Sequence, residues 1–389
     1  MTKPKVLCTI TWLAPGGGVD EQVKLFMNES NDSFDFHLLT GRVIENNEFF
    51  AIPNLKIHVC KWLVPNSNPA LDILSYFWLK KFFRLHEYDI INTYETKSSF
   101  LTRLAFAGKK STPLIYSICG VVFNDPRNVI ANWIYAAMEA STINRASYAV
   151  AVSEDVKEEY FKRNIGKSIP WEVIYSGIRL DRFMNPTPLK DKNELRALLG
   201  LSELDKIMVN IGRFSTSKNQ KDTILVFSRI IEIVKTNNIK LILIGEGPEK
   251  STCMDLVKKL NLTTEVLFVE FTSQIETFLA ISDLNIITSL REGLPRVVVE
   301  ASLAGVPTVG YKVEGISEII SNGNSGFIVP QGAIEELAGK AVELLNSPST
   351  RLRYGAFAQK SASSKWDHKV TSAKLSELYW KLIGNKNEV

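Results

Sequence analysis

The sequence predicts an α/β protein built from two doubly wound parallel sheets. Three observations point there. Short apolar, β-rich runs alternate with helix-patterned runs along the chain. The strand runs are apolar almost throughout, as strands covered on both faces are. The alternation breaks at Asn185-Pro186-Thr187-Pro188 and then restarts, which reads as a linker between two such domains.

In the first half the expected strands are Val6–Thr11, Phe34–Leu39, Ile57–Cys60, Ile90–Thr93, Leu114–Cys119, Tyr148–Ala151 and Glu172–Ile174. Helical patterns lie between several of them, including Asp20–Met27 and Ser98–Ala107. The second half repeats the scheme with strands at Ile207–Ile211, Lys240–Ile244, Val266–Phe268, Leu284–Thr288 and Thr308–Gly310. A further strand is expected at Ile275–Ala280, and helices near Lys221–Lys235, Lys250–Leu260 and Pro295–Ala304. Trp366–Ile383 has the pattern of a closing amphipathic helix. Ligands of such sheets sit beyond the carboxyl ends of the strands, and two domains facing each other would form a cleft there.

Composition narrows the function classes. The 389 residues suit two domains. Lys plus Arg is 46 and Asp plus Glu 42, so the net charge is only +4, too small for a dedicated nucleic-acid binder. Cys8, Cys60, Cys119 and Cys253 show no CxxC or Cys/His spacing, which argues against a zinc site or a disulfide framework. The histidines, His37, His58, His86 and His368, cluster in sequence with neither Cys nor a Ser/Asp pair, weakening a hydrolase triad. No apolar run is long enough to span a membrane. Val6–Ala14 runs into Pro15-Gly16-Gly17-Gly18 rather than a cleavage site, so it reads as a buried strand, and a cytoplasmic protein is expected.

Three strand-end segments carry candidate chemistry. Trp12–Asp20 holds Gly16-Gly17-Gly18 before a helix. Glycine lets backbone N–H groups approach an anion at the helix start, but a tight β–α turn needs the same residues. Gly212-Arg213-Phe214-Ser215-Thr216-Ser217-Lys218 follows the strand Ile207–Ile211. Its two cations would clamp a diphosphate, Arg as a planar fork and Lys as a point charge, or else are solvated surface cations. Ser289-Leu290-Arg291-Glu292-Gly293-Leu294-Pro295 leads into a helix carrying Glu300. Pro295 suits a helix start, and two carboxylates at this spacing can accept hydrogen bonds from sugar hydroxyls while free N–H groups take phosphate.

Further segments extend the set: Ala151-Val152-Ser153-Glu154, Val173-Ile174-Tyr175-Ser176-Gly177-Ile178, Ile244-Gly245-Glu246-Gly247-Pro248, Gly305-Val306-Pro307-Thr308-Val309, Gly315-Ile316-Ser317-Glu318 and Asn324-Ser325-Gly326-Phe327. In this order they resemble the retaining glycosyltransferases of the GT-B fold, glycosyltransferase family 4, of the capsule and O-antigen type. Any one segment is a weak signal; their order over nearly the whole chain is specific. The resemblance implies an acceptor-binding domain over 1–184, a nucleotide-sugar-binding domain over 195–365, and a helix over 366–389 that returns to the first domain. It implies that Arg213, Lys218 and Glu292 act at the reacting centre, with Arg213 and Lys218 on the diphosphate and Glu292 on the donor sugar. Glu300 would hold the ribose, and Gly293, Leu294, Pro295, Gly17 and Gly18 would line the donor. Asp20, Lys97 and Cys119 fall on the acceptor side. No cofactor and no metal is implied, and the chain has no Asp-x-Asp motif.

The likeness departs in the first half. Cys119, in Ser117-Ile118-Cys119-Gly120-Val121, stands where the family often has His. Asn92-Thr93-Tyr94-Glu95-Thr96-Lys97-Ser98 likewise lacks the histidines of the related stretch, and Glu270 replaces a family glycine. Cys119 reads as a small buried residue more readily than as a nucleophile. The aromatic and basic run 71–84 could lie on an anionic membrane or pack in the core with snorkelling cations. The expected partners are therefore a UDP-sugar donor, a saccharide or polyprenyl-linked glycan acceptor, and the inner face of the cell membrane. A nucleotide-binding module without transferase activity and a UDP-sugar epimerase are the rival readings.

Overall fold

The structure is a computed structural model and describes residues 3–13, 17–42, 48–106, 112–125, 127–185, 188–235 and 238–384. The chain divides into two units, residues 1–177 with 368–389, and residues 178–367.

The first unit contains β1 (Lys5–Thr9), α1 (Gly18–Ser30), β2 (Asp35–Thr40), β3 (Lys56–Val59), α2 (Pro69–Leu85), β4 (Ile90–Tyr94) and α3 (Thr96–Ala105). It continues through β5 (Leu114–Ile118), α4 (Val129–Thr142), β6 (Tyr148–Ala151), α5 (Glu154–Lys162) and β7 (Trp171–Val173). All seven strands are parallel, in the order β3-β2-β1-β4-β5-β6-β7. The reversal of strand order beside β1 is the switch point at which such sheets bind ligands. The central strands are buried on both faces, which is why Val6, Leu7, Cys8, Ile90 and Ile91 form a continuous apolar run rather than an alternating one.

The second unit opens with α6 (Leu180–Met184) and α7 (Leu189–Leu198), then β8 (Lys206–Ile211), α8 (Gln220–Val234), β9 (Ile239–Ile244), α9 (Lys250–Lys259), β10 (Val266–Val269) and α10 (Ile275–Ala280). It proceeds through β11 (Leu284–Ile287), α11 (Arg296–Leu303), β12 (Thr308–Tyr311), α12 (Ile316–Ile319), β13 (Gly326–Val329), α13 (Ile334–Leu345) and α14 (Pro348–Lys365). Its six parallel strands run β10-β9-β8-β11-β12-β13, again with a switch point, here between β8 and β11. β13 was not among the strands expected from sequence, and Ile275–Ala280, expected as a strand, is the helix α10: its apolar residues Ile275, Phe278 and Leu279 recur at helical spacing, with Phe278 and Leu279 buried.

The final helix, α15 (His368–Gly384), packs on α1 in the first unit. Tyr379 meets Phe26 and Phe34 edge-on at 5.3 and 5.6 Å, and Leu375 and Leu378 are buried beside them. Such aromatic pairs add to the apolar area that this helix removes from water.

The second unit starts at Ile178, just ahead of the linker expected near 180–195. The Ile178 N–H donates to the Trp366 carbonyl at 2.8 Å. Phe183 is buried, and Arg182 pairs with Glu276 at 2.6 Å. Burial and pairing thus draw the chain into the second unit before residue 185.

Candidate active site

In the second unit, the loops leaving β8, β11 and β12 at their carboxyl ends are locked to one another. The first turns at Gly212, whose N–H donates to Ile244 at 3.0 Å. Phe214 is fully buried, and its N–H donates to Glu246 at 2.9 Å. The opposing turn needs glycine: Gly245 and Gly247 have φ of 143° and 152°, and a Cβ on either would lie 2.2 Å from the carbonyl oxygen of Gly212 or Phe214. Between these anchors Arg213 is exposed and has no ion pair among the described residues.

The β11 loop is latched onto the β8 loop. Thr288 shares a 2.7 Å hydrogen bond with Thr223 and donates to the Asn219 carbonyl at 2.8 Å, and the Leu290 N–H donates to Ser217 at 2.8 Å. This brings Lys218 Nζ to 2.5 Å from Glu292 Oε1, with the carboxylate largely buried. The β12 loop supports the other side. Gly315, at φ 73°, sits so close to Gly293 that a Cβ would lie 2.5 Å from its carbonyl oxygen. Leu294 and Pro295 are buried, and Glu300 is buried in the second turn of α11. The arrangement presents a cation and an acceptor carboxylate, already held together, beside the start of α11.

The remaining candidates belong to the first unit. Gly17 precedes α1 and Gly18 opens it; Ala14, Pro15 and Gly16 lie outside the described residues. Asp20 is buried in the first turn of α1. Lys97 is engaged elsewhere: it pairs with Asp72 of α2 at 2.6 Å and donates to the Asn66 carbonyl at 2.6 Å. Cys119 is half-buried just past β5, and burial pushes its thiol up to about 12. A thiol held protonated at neutral pH is a poor nucleophile.

Glu95 was quoted in the sequence only as part of an altered stretch, and the structure gives it a more particular place. It follows β4 directly, with φ 60° and ψ 152°, a region nearly confined to glycine. Its Oε2 accepts from the Thr11 N–H at 2.8 Å, and burial raises its carboxyl above the ordinary carboxylate range. The available sequence signal was its position, a carboxylate immediately beyond an apolar strand. Among the described residues, no group of three or more His, Cys, Asp or Glu side chains could hold a metal ion, and no helix is long and apolar enough to cross a membrane.

Comparison with known proteins supplies the family. The profile described as Glycosyltransferase Family 4 matches residues 17–182, and that described as Glycosyl transferases group 1 matches residues 191–361. The chain is 22% identical over 327 residues to the Escherichia coli UDP-Gal:alpha-D-GlcNAc-diphosphoundecaprenol alpha-1,3-galactosyltransferase, covering 81% of each chain. It is 24% identical over 297 residues to the capsular polysaccharide biosynthesis glycosyltransferase CapM of Staphylococcus aureus, covering 75% of this chain and 76% of that one. It is 30% identical to the N-acetyl-alpha-D-glucosaminyl L-malate synthase of Bacillus anthracis over 194 residues, half of either chain. Among solved structures, Anabaena HepE in complex with UDP and glucose superposes with a TM-score of 0.81 at 22% identity, over 97% of this chain and all of that one. Sucrose-phosphate synthase from Thermosynechococcus elongatus superposes with a TM-score of 0.84 at 17% identity, over 99% of this chain and all of that one. With its two parallel-sheet Rossmann-like units and the ordered strand-end segments between residues 17 and 361, the chain belongs to the GT-B glycosyltransferases of the family 4 type.

Proposed function

We propose that the protein transfers a hexose or N-acetylhexosamine from a UDP-sugar to a glycan or lipid-linked saccharide in surface polysaccharide synthesis, with retention of anomeric configuration. The Lys218–Glu292 pair, 2.5 Å long and lodged where three strand-end loops meet, carries this reading. In the proposed reaction Arg213 and Lys218 take the diphosphate and offset the charge that develops as it departs, which is the largest contribution a protein makes to such a step. Glu292 takes a donor-sugar hydroxyl, Glu300 takes the ribose, and the Gly293 and Leu294 N–H groups complete the cradle with Pro295. The two side-chain cations do the neutralising, so no resident metal is assigned. Front-face attack, with a donor phosphate oxygen receiving the acceptor proton, requires no side-chain base and tolerates Cys119. Gly17, Gly18, Asp20, Lys97 and Cys119 are assigned to the first unit's ligand-binding edge, Lys97 by holding α2 through Asp72.

The choice of UDP is supported by the UDP complexes of HepE and by the UDP-Gal donor of the E. coli relative. That relative's diphosphoundecaprenol acceptor supports a lipid-linked one here. Membrane contact through 71–84 is supported by α2, which exposes Ile73, Leu74 and Phe77 beside Lys80, Lys81 and Arg84. The test is thermal shift against UDP, GDP, ADP and dTDP, since a ligand bound only by the native state raises its stability, by about 2.7 kcal/mol at 100 times Kd. A UDP-selective shift is expected. A GDP-selective shift would overturn the donor, and no shift in a folded sample would favour the inactive binding module. NMR of the product anomer then checks retention.

A further inference from the structure

Glu95 stands at the mouth of the first unit's switch point. The strand order reverses between β1 and β4, and Thr11 and Glu95 lie just beyond the carboxyl ends of those two strands. The Glu95 Oε2 accepts from the Thr11 N–H at 2.8 Å, so the side chain reaches across the crevice. The Thr11 carbonyl accepts in turn from the Gly41 N–H at 2.9 Å, which ties the end of β2 to the same point. Cys119, just past β5, is near enough for the Glu95 charge to act on its thiol. The carboxylate therefore sits where the ends of four strands meet.

Two features of Glu95 exceed what a staple between strands needs. Its backbone, at φ 60° and ψ 152°, occupies a region nearly confined to glycine. Its carboxylate is held in partly buried surroundings, and burial raises the carboxyl despite the hydrogen bonds from Thr11. The strands are joined without it: β1 and β4 pair from Val6 and Ile90 to Thr9 and Thr93, and the Ser98 hydroxyl donates to the Tyr94 carbonyl. A neutral acceptor would satisfy the Thr11 N–H. No ion pair offsets the Glu95 charge among the described residues, and Lys97, two residues on, is held by Asp72 at 2.6 Å. A carboxylate offers about four lone-pair sites, of which Thr11 takes only part. Backbone strain and an unpaired carboxylate, together at a ligand-binding edge, point to recognition of a hydrogen-bond donor there.

We propose that Glu95 selects the acceptor sugar: its carboxylate accepts a hydrogen bond from a hydroxyl of a neutral saccharide and repels a uronic acid in its place. This rests on the saccharide acceptor proposed above. A charge-assisted bond rewards the hydroxyl and a like charge is penalised, so one side chain supplies both halves of a discrimination. The full chain is assayed with UDP-glucose, UDP-galactose and UDP-N-acetylglucosamine as donors. The acceptor probes are phenyl glycosides of glucose, galactose and N-acetylglucosamine, with those of glucuronic and galacturonic acid as anionic counterparts. The wild type is expected to prefer the neutral probes by kcat/KM. Glu95→Gln, whose amide oxygen still accepts from Thr11, should raise the neutral acceptor KM about tenfold and reduce that preference. The donor KM and the UDP thermal shift should stay unchanged. Glu95→Gly suits this backbone and should lose the same preference; its melting temperature separates a folding defect from lost recognition.

A Glu95→Gln enzyme with the wild-type acceptor KM and the wild-type preference would overturn the assignment and leave the transferase reading standing. A wild type that favours the uronic glycosides would overturn it as well. A wild type that shifts with UDP yet uses no saccharide probe would overturn it together with the saccharide acceptor, and leave the donor assignment in place. Parallel loss of the UDP shift and of acceptor use in both variants would reduce Glu95 to a structural staple.

Discussion

Lys218 Nζ lies 2.5 Å from Glu292 Oε1 across 74 residues of sequence, tying the loop after β8 to the loop after β11. The pair places a cation and a carboxylate side by side, the two groups that the proposed reading assigns to a diphosphate and a sugar hydroxyl. On the proposed reading, removing Lys218 strips one charge donor from the departing diphosphate, and it leaves the largely buried Glu292 carboxylate without its cation. Lys218→Ala is expected to lower turnover by about 10²–10³ and to shrink the UDP thermal shift. Near-normal initial rates would remove Lys218 from the reacting centre.

The Cys119 thiol is pushed up to about 12 by burial, with the nearby Glu95 carboxylate adding to the effect. It is therefore protonated at neutral pH and unreactive. Cys119→Ser should retain much of the activity, and the wild-type enzyme should survive iodoacetamide at pH 7.5. Complete inactivation of a folded Cys119→Ser protein would mean that the sulfur takes part in the reaction.

Arg103 and Glu139 are fully buried, 2.8 Å apart, and Glu139 also accepts from Tyr116. A buried pair contributes little over an apolar replacement of both partners, but losing one partner strands the other charge. Glu139→Ala should therefore destabilise the protein by about 3–5 kcal/mol, read from denaturant unfolding. Arg103→Met combined with Glu139→Leu should recover much of that loss. A single variant within 1 kcal/mol of wild type, about the scale of an exposed pair, would show that water reaches the site.

Three of the four histidines, scattered in sequence, meet at one end of the first unit's sheet. His37 Nδ1 is 3.0 Å from His58 Nε2 and 3.1 Å from the Tyr88 hydroxyl, and His86 lies edge-on to His58. Burial lowers His37 below 6.5, with Asp35 opposing and Lys56 and Lys5 reinforcing it. Burial and the neighbouring histidines lower His58 to about 4. The unfolded chain thus binds more protons than the folded one between about pH 6.5 and 4, so stability is full above that window and is lost as pH falls through it. The melting temperature should drop from pH 7 to pH 5, and His58→Gln should flatten the drop. A wild-type curve that is flat over this range would contradict the cluster.

Much of the fold was legible because its signals are local. A parallel strand covered on both faces must be apolar throughout, so β1, β4, β8 and β9 announced themselves. The turns around Gly245 and Gly315 were visible because no side chain fits where backbone passes that close. The order of these segments sufficed for the family. β13 was missed because it opens on Gly326, and glycine weakens a strand reading.

By itself, then, the sequence determined the two parallel-sheet units and the strand-end segments that carry Arg213, Lys218, Glu292 and Glu300. Only the tertiary structure decided that Lys218 grips Glu292, that Lys97 is spent on Asp72, that Glu95 is held in a glycine-like conformation by Thr11, that the histidines converge, and that α4 turns its apolar side outward. The reason is physical. Strand and turn preferences are set by neighbours within a few residues, whereas pairing, strain and burial depend on partners tens to hundreds of residues away, brought close only by packing of the whole unit.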